Sequence, residues 1–245
     1  MNAALDSAWW LAPLAALLLG VLALAPLGEQ VLARGVVFID LAVAQAAAAA
    51  ALWAGALIDH PGTFETQVLA AAGALACAAA VALVARHWPA QREALIGLLY
   101  VAGASVALLG ARLDPHGRER MAELLAADVL WAGWPQVGLL AAAAVLVPLL
   151  GRRLARDGFF YTAFALVASL AVPVLGLFLV FALLIVPALL QRAGAGRLQA
   201  LALALLAAGL GLAASWGLDA PSGACIVLAL AAAGLLGCLR VRPGR

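Results

Sequence analysis

Long apolar runs of about twenty residues alternate with short polar segments along almost the whole chain. A helix needs about 20 apolar residues to cross a hydrocarbon core of roughly 30 Å. Backbone groups in lipid must be paired within their own segment, which favours helices. The pattern predicts an all-α, polytopic membrane helix bundle of about eight or nine transmembrane helices. The predicted runs cover residues 9–27, 35–57, 67–85, 94–111, 136–150, 159–190, 198–217 and 222–239.

The run 159–190 is too long for one upright span. Pro173 and Gly176 interrupt it, and both residue types weaken a helix interior. We therefore expect two helices there, which brings the number to nine. Residues 121–134 predict a partly embedded helix, because Trp131 and Trp134 suit a membrane interface.

Composition supports the membrane assignment. The chain has 245 residues, of which 67% are hydrophobic and only 11% charged, whereas a soluble domain is about half apolar and a quarter charged. We expect one transmembrane domain over residues 1–245. The net charge of +2 gives no sign of a nucleic-acid partner.

The arginines predict an orientation, because loops rich in Lys and Arg stay cytoplasmic. The tail after residue 239 and the loop 151–158 are both rich in Arg. We expect both to be cytoplasmic in a bacterial inner membrane, with loop 59–65 on the opposite side. Segment 112–120 is the exception, since its arginines fall outside in this scheme.

Asp40 and Gln45 are the main candidates for chemistry, because a carboxylate at membrane depth is costly and commonly faces a cavity or a cation. Their oxygen atoms suit a hard or borderline cation in a translocation path. The alternative is that Asp40 lies near the cytoplasmic interface, solvated or paired with Arg34.

Asp128, Asp59 and His60 are weaker candidates for binding a metal. The alternative for Asp128 is an ordinary solvated carboxylate. An Asp-His pair in a short turn can ligate a metal but is equally a turn sequence. The three cysteines lie in apolar runs without the spacing of a zinc site.

Enzyme signatures are missing from the chain. It contains no HExxH, no GxGxxG opening a helix and no Walker A loop. We therefore expect no catalytic residue, and an energised transporter built on this chain would need a separate ATPase partner.

Four stretches resemble the permease subunit of zinc/manganese/iron-type metal ABC transporters. They are PLGEQVLARGVVFIDLAVAQAAA (26–48), EALIGLLYVAGASVALL (93–109), VLGLFLVFALLIVPALLQR (174–192) and LDAPSGACIVLALAAAGLL (218–236). AELLAADVLWAGW (122–134) is similar to a fifth family segment more loosely.

The chain departs from the common family string Gly-Asp-x-Leu-Ser-His in the second span. Aligning Gln45 with the His places Leu41 at the Asp position and Asp40 one residue early. The chain thus resembles a divergent branch with Ala44-Gln45 in place of Ser-His, whose path should hold zinc less tightly.

The resemblance implies a metal-type ABC importer permease fold and a set of partners. It implies a permease homodimer in lipid, a separate ABC ATPase, and a periplasmic or extracellular metal-binding protein. The cargo would be zinc or manganese, with iron as a further candidate, and no permanently bound cofactor is expected. A short cytoplasmic helix would dock on the ATPase, and the matching residues are Pro187, Gln191, Arg192 and Arg197.

Two other functional classes stay open. A secondary carrier or exporter of a small solute or ion needs inverted repeats and coupling charges, and no convincing repeat is visible. A membrane scaffold without transport would need no acid at depth, so Asp40 weighs against it.

The Arg distribution generates a testable topology. Single cysteines placed in loops 59–65 and 151–158, in a chain lacking Cys77, Cys225 and Cys238, should react differently with an impermeant maleimide in whole cells. We expect labelling of the first loop alone. Labelling of the second loop alone would reverse the topology.

Overall fold

A computed structural model describes residues 10–58, 62–113, 119, 121–122 and 129–239. This part of the chain contains α-helices, two short 3-10 helices (Val129–Trp131 and Gly151–Ala155) and no strand. The α-helices are α1 (Leu11–Arg34), α2 (Ile39–Leu57), α3 (Thr63–His87), α4 (Arg92–Leu113), α5 (Trp134–Leu150), α6 (Asp157–Leu175), α7 (Leu177–Arg192), α8 (Arg197–Leu218) and α9 (Ser222–Leu239). The predicted all-α class is confirmed.

Membrane-spanning length is a property of most of these helices. Within the described residues, 7 helices are long and apolar enough to cross a membrane, while the apolar segments of α2 and α7 are shorter. The expected division of 159–190 is confirmed, since α6 ends at Leu175 and α7 begins at Leu177. Gly176 between them has a φ of 78°, which a residue with a Cβ rarely adopts.

The first helix differs from its predicted bounds. The apolar run predicts an end near residue 27, but α1 continues to Arg34. Its polar last turns contact other elements of the bundle, so they stay helical without an apolar sequence. Gly35, with a φ of 59°, then ends the helix. As a result α2 begins at Ile39, four residues later than the predicted run.

The proposed interfacial helix at 121–134 is only partly visible. Residues 121 and 122 are helical, 123–128 lie outside the described residues, and Val129–Trp131 forms a 3-10 turn. Trp131 and Trp134 are both exposed, as a location at the interface requires.

The interior of the bundle is built around α1 and α6. In their most apolar windows 67% and 61% of the residues are buried, against 22% to 28% in α3, α4, α5, α8 and α9. Helix α1 packs against α5, α6 and α7, while α2 packs mainly against α3 and α4. The outer helices therefore present their apolar residues to lipid.

Glycines allow the closest helix crossings, as is common in membranes. A methyl group at position 28 in α1 would overlap the carbonyl oxygen of Leu184 in α7. At position 211 in α8 it would lie 2.5 Å from the Cα atom of Ile226 in α9. These crossings bring backbones together where no larger side chain fits.

Gly28→Ala should therefore destabilise the protein by about 1–3 kcal/mol, since overpacking at a fixed backbone forces the two helices apart. The measurement is thermal unfolding of the purified protein in detergent. Gly97→Ala is the control, because no atom lies within 4 Å of a Cβ at that position. Equal unfolding temperatures for the two variants would contradict the assigned crossing.

Candidate functional site

Asp40 occupies the first turn of α2 and is only 1% exposed. Neither of its carboxylate oxygens has a hydrogen-bond partner among the described residues. A buried, unpaired polar group is costly unless something satisfies it. The side chain is therefore neither solvated nor tied to a neighbour in this structure.

Arg34 is engaged elsewhere, which removes it as the partner of Asp40. Its Nε donates to Oδ1 of Asp157 at 3.1 Å. Its Nη2 donates to the carbonyl oxygens of Leu154 at 3.1 Å and Ala155 at 2.9 Å. These contacts join the end of α1 to the turn between α5 and α6. Asp40 is not among the groups that Arg34 contacts.

Gln45 lies deeper in α2 and is 5% exposed, with an unpartnered Oε1. It faces α4, where Gly103 leaves room: a Cβ at position 103 would be 3.3 Å from the Cβ of Gln45. Five helical residues separate Gln45 from Asp40, so the two side chains point about 140° apart around the axis. Along α2 they do not share one face.

Glu93, in the first turn of α4, is a residue that the motif reasoning did not select. Its Oε1 accepts the backbone N–H of Val37 at 2.8 Å, and its Oε2 is buried without a partner. Glu93 thus holds the link between α1 and α2. The residue that it contacts, Val37, lies two positions before α2, the helix that carries Asp40, begins. The available signal was an acidic residue at the start of an apolar run.

The described residues of one copy of the chain do not form a complete site for a resident metal ion. Within the residues that the structure describes, no three His, Cys, Asp or Glu side chains gather around a point that could hold a metal ion. The weaker candidates Asp59, His60 and Asp128 lie outside the described residues.

The predicted coupling segment takes a different form from the expected short helix. Pro187 is buried within α7, Gln191 and Arg192 form the end of that helix, and Arg197 begins α8. Between the helices, Gly194 has a φ of 95° and donates to the Gln191 carbonyl oxygen at 2.9 Å. The segment is continuous with α7 because its apolar residues remain packed in the bundle up to Leu190.

Two residues of this segment converge on Glu29 of α1. Gln191 Nε2 donates to Glu29 Oε1 at 3.0 Å, and Arg197 Nε lies 3.7 Å from the same oxygen. Sequence reasoning missed Glu29 because 162 residues separate it from Gln191. The contact fastens the turn between α7 and α8 to the helix that also carries Arg34.

Comparison with known proteins agrees with this architecture. Residues 152–240 match the sequence model of the ABC 3 transport family. The fold is similar to a chain of PsaBC from Streptococcus pneumoniae, solved in complex with a Fab, with a TM-score of 0.72 and 17% identity over 92% of this chain and 89% of that chain. No curated protein matches the sequence.

The apolar helices of spanning length and the family match over residues 152–240 agree with the expected multi-pass transport permease. The predicted resemblance to the ABC permeases is confirmed by the match of residues 152–240 to the ABC 3 transport family.

Glu29→Leu should lower the unfolding free energy by about 1–3 kcal/mol, because it leaves the Gln191 amide without its charged acceptor. Thermal unfolding of the purified permease at low salt measures the loss. Arg192→Leu is the control, since Arg192 is exposed at the same helix end. An equal effect of both changes would show that the Glu29 contact contributes nothing specific.

Proposed function

We propose that the chain is the membrane-spanning subunit of an ABC transporter that imports a divalent metal cation, with zinc and manganese as the first candidates and iron as the next. The observation that carries the choice of cargo is the buried, unpartnered carboxylate of Asp40. In lipid such a group needs a cation, a proton or water. A passing cation would supply the missing partner.

The ligand atoms of Asp40 and Gln45 suit a cation that passes through the protein better than one that stays bound. Asp40 and Gln45 offer oxygen atoms without sulfur or imidazole, and oxygen ligands suit hard and borderline cations. Gln45 occupies the position at which the metal ABC permeases that this chain resembles have His, so zinc would be held weakly. Weak binding is useful in a path, because the ion must leave again.

A second copy of the chain would complete the path. The described residues of one chain bring no three His, Cys, Asp or Glu side chains together around a cation, and Asp40 is closed off from solvent in this conformation. We therefore infer a homodimer that alternates between inward and outward openings, with Asp40 exposed to the path in one of them. ATP binding would shift the population between these states.

The motor is a separate ABC ATPase, because the chain has no nucleotide-binding loop. Pro187, Gln191, Arg192 and Arg197 would form the docking region. A periplasmic or extracellular binding protein would deliver the cation. We also propose that the subunit lies in a bacterial inner membrane with its C-terminus cytoplasmic.

The test is uptake of radioactive zinc or manganese into liposomes that contain the permease with its ATPase. We expect uptake that needs ATP and both proteins, and none with the permease alone under cation, proton or membrane-potential gradients. Robust uptake by the permease alone would favour a secondary carrier or exporter.

The same vesicles test the path. Asp40→Asn preserves size and removes the charge, so ATP-driven uptake should fall at least tenfold while assembly with the ATPase stays normal. Gln45→Ala should reduce uptake less, because it removes a neutral ligand. Full uptake by both variants at normal protein level would overturn the proposed path.

A further inference from the structure

A groove of about 820 Å³ lies between α5 and α6. Its walls are almost entirely apolar, and Arg153 is the one charged residue in its lining. Buried Val147 and Val167 form the floor, while Leu149 and Phe159 are exposed at the rim. The groove is therefore an apolar channel on the outside of the bundle with a guanidinium at one end.

The groove is a consequence of how the two helices are supported. Both α5 and α6 pack against α1, and they contact each other less extensively. Small residues such as Ala142, Ala143 and Ala163 then keep the space between them open. In a membrane this space must be filled by lipid or by another protein surface.

Arg153 lines the groove and belongs to the 3-10 turn Gly151–Ala155. The backbone carbonyls of the next two residues, Leu154 and Ala155, accept hydrogen bonds from Arg34. Arg34 also engages Asp157, the acid nearest in sequence, with Nε 3.1 Å from Oδ1. Asp157 is thus committed to another arginine, and the charge of Arg153 is available to a ligand.

The charge around the mouth is mainly positive, since Asp157 is paired with Arg34. Arg152 and Arg156 lie in the same turn region as Arg153 and are exposed. Basic pockets between transmembrane helices at the cytoplasmic side recognise anionic lipid headgroups, and the Arg distribution predicts this side to be cytoplasmic. The groove and the turn together match the two parts of a phospholipid, its acyl chain and its phosphate.

We infer that the α5–α6 groove binds an anionic phospholipid, with an acyl chain along the apolar walls and the phosphate against Arg153. A second copy of the chain fits this face poorly. A twofold axis along the membrane normal would place the same concave groove and the same arginine-rich turn opposite each other, which brings like charges together. The inference concerns lipid binding and does not depend on the transported cargo.

The test compares phosphatidylglycerol with phosphatidylcholine of identical acyl chains, each added to delipidated permease and followed by native mass spectrometry and thermal unfolding. We expect phosphatidylglycerol to bind more tightly and to raise the unfolding temperature more. Arg153→Gln should reduce this preference by about fivefold, the effect of one basic residue near an anionic headgroup. Glycerol phosphate, which has no acyl chain, should not bind.

Two controls separate the site from general charge. Arg152→Gln removes the same charge from the same turn but lies outside the groove lining, so it should retain the preference. Ala163→Phe fills the groove while keeping Arg153, so it should reduce retention of both lipids. Equal loss of preference in the two arginine variants, or unchanged retention in Ala163→Phe, would overturn the site. Disulfide-linked dimers of Leu146→Cys in a chain lacking its native cysteines would assign the groove to a second copy instead.

Discussion

The arrangement of this bundle depends on the hydrogen bonds that the side chain of Arg34 donates to the turn between α5 and α6. A turn between two helices leaves backbone carbonyl oxygens without helical N–H partners. At Leu154 and Ala155 the guanidinium of Arg34 donates hydrogen bonds to these oxygens. Hydrogen bonds from a charged donor are stronger than neutral ones. Through them the end of α1 fixes the start of α6, engages Asp157 and holds the turn that presents Arg153. Gly35 follows directly and redirects the chain into α2, so the position of Asp40 also depends on this anchor.

The sequence predicts the helices well because lipid allows few alternatives. Apolar length and the need to pair backbone groups are enough to locate the runs and to divide 159–190 at Gly176. The pairing of polar side chains is harder, because it depends on which helices become neighbours. Arg34 is six positions from Asp40 but contacts Asp157, and Glu29 contacts Gln191. Apolar runs also cannot locate the end of α1, whose last turns are polar and stabilised by tertiary contacts.

Helix α1 connects the two regions that the proposed function requires, which are the α7–α8 turn and the first turn of α2 with Asp40. Glu29 holds the turn between α7 and α8, and Gly28 lets α1 approach the backbone of α7 at Leu184. Beyond Arg34, residues 35–38 lead directly into the turn that carries Asp40, and Glu93 of α4 accepts the N–H of Val37 there. A displacement of the α7–α8 turn by an ATPase would thus act first on α1 and then on the start of α2. No contact through the apolar outer helices is needed for this route.

The burial of Asp40 constrains how such a movement would act on a cation. Asp40 is buried without a partner among the described residues, and these residues form no preformed cage that would retain an ion. Gln45 points to another side of α2, which means that a cation would meet the two residues in succession rather than together. Rotation or displacement of the first turn of α2 would expose Asp40 to the path and create affinity only in that state. Because a ligand shifts an equilibrium only by its difference in affinity between two states, an Asp40 that is closed and unpaired in one state would allow the proposed cation to be bound in the other state and released in this one.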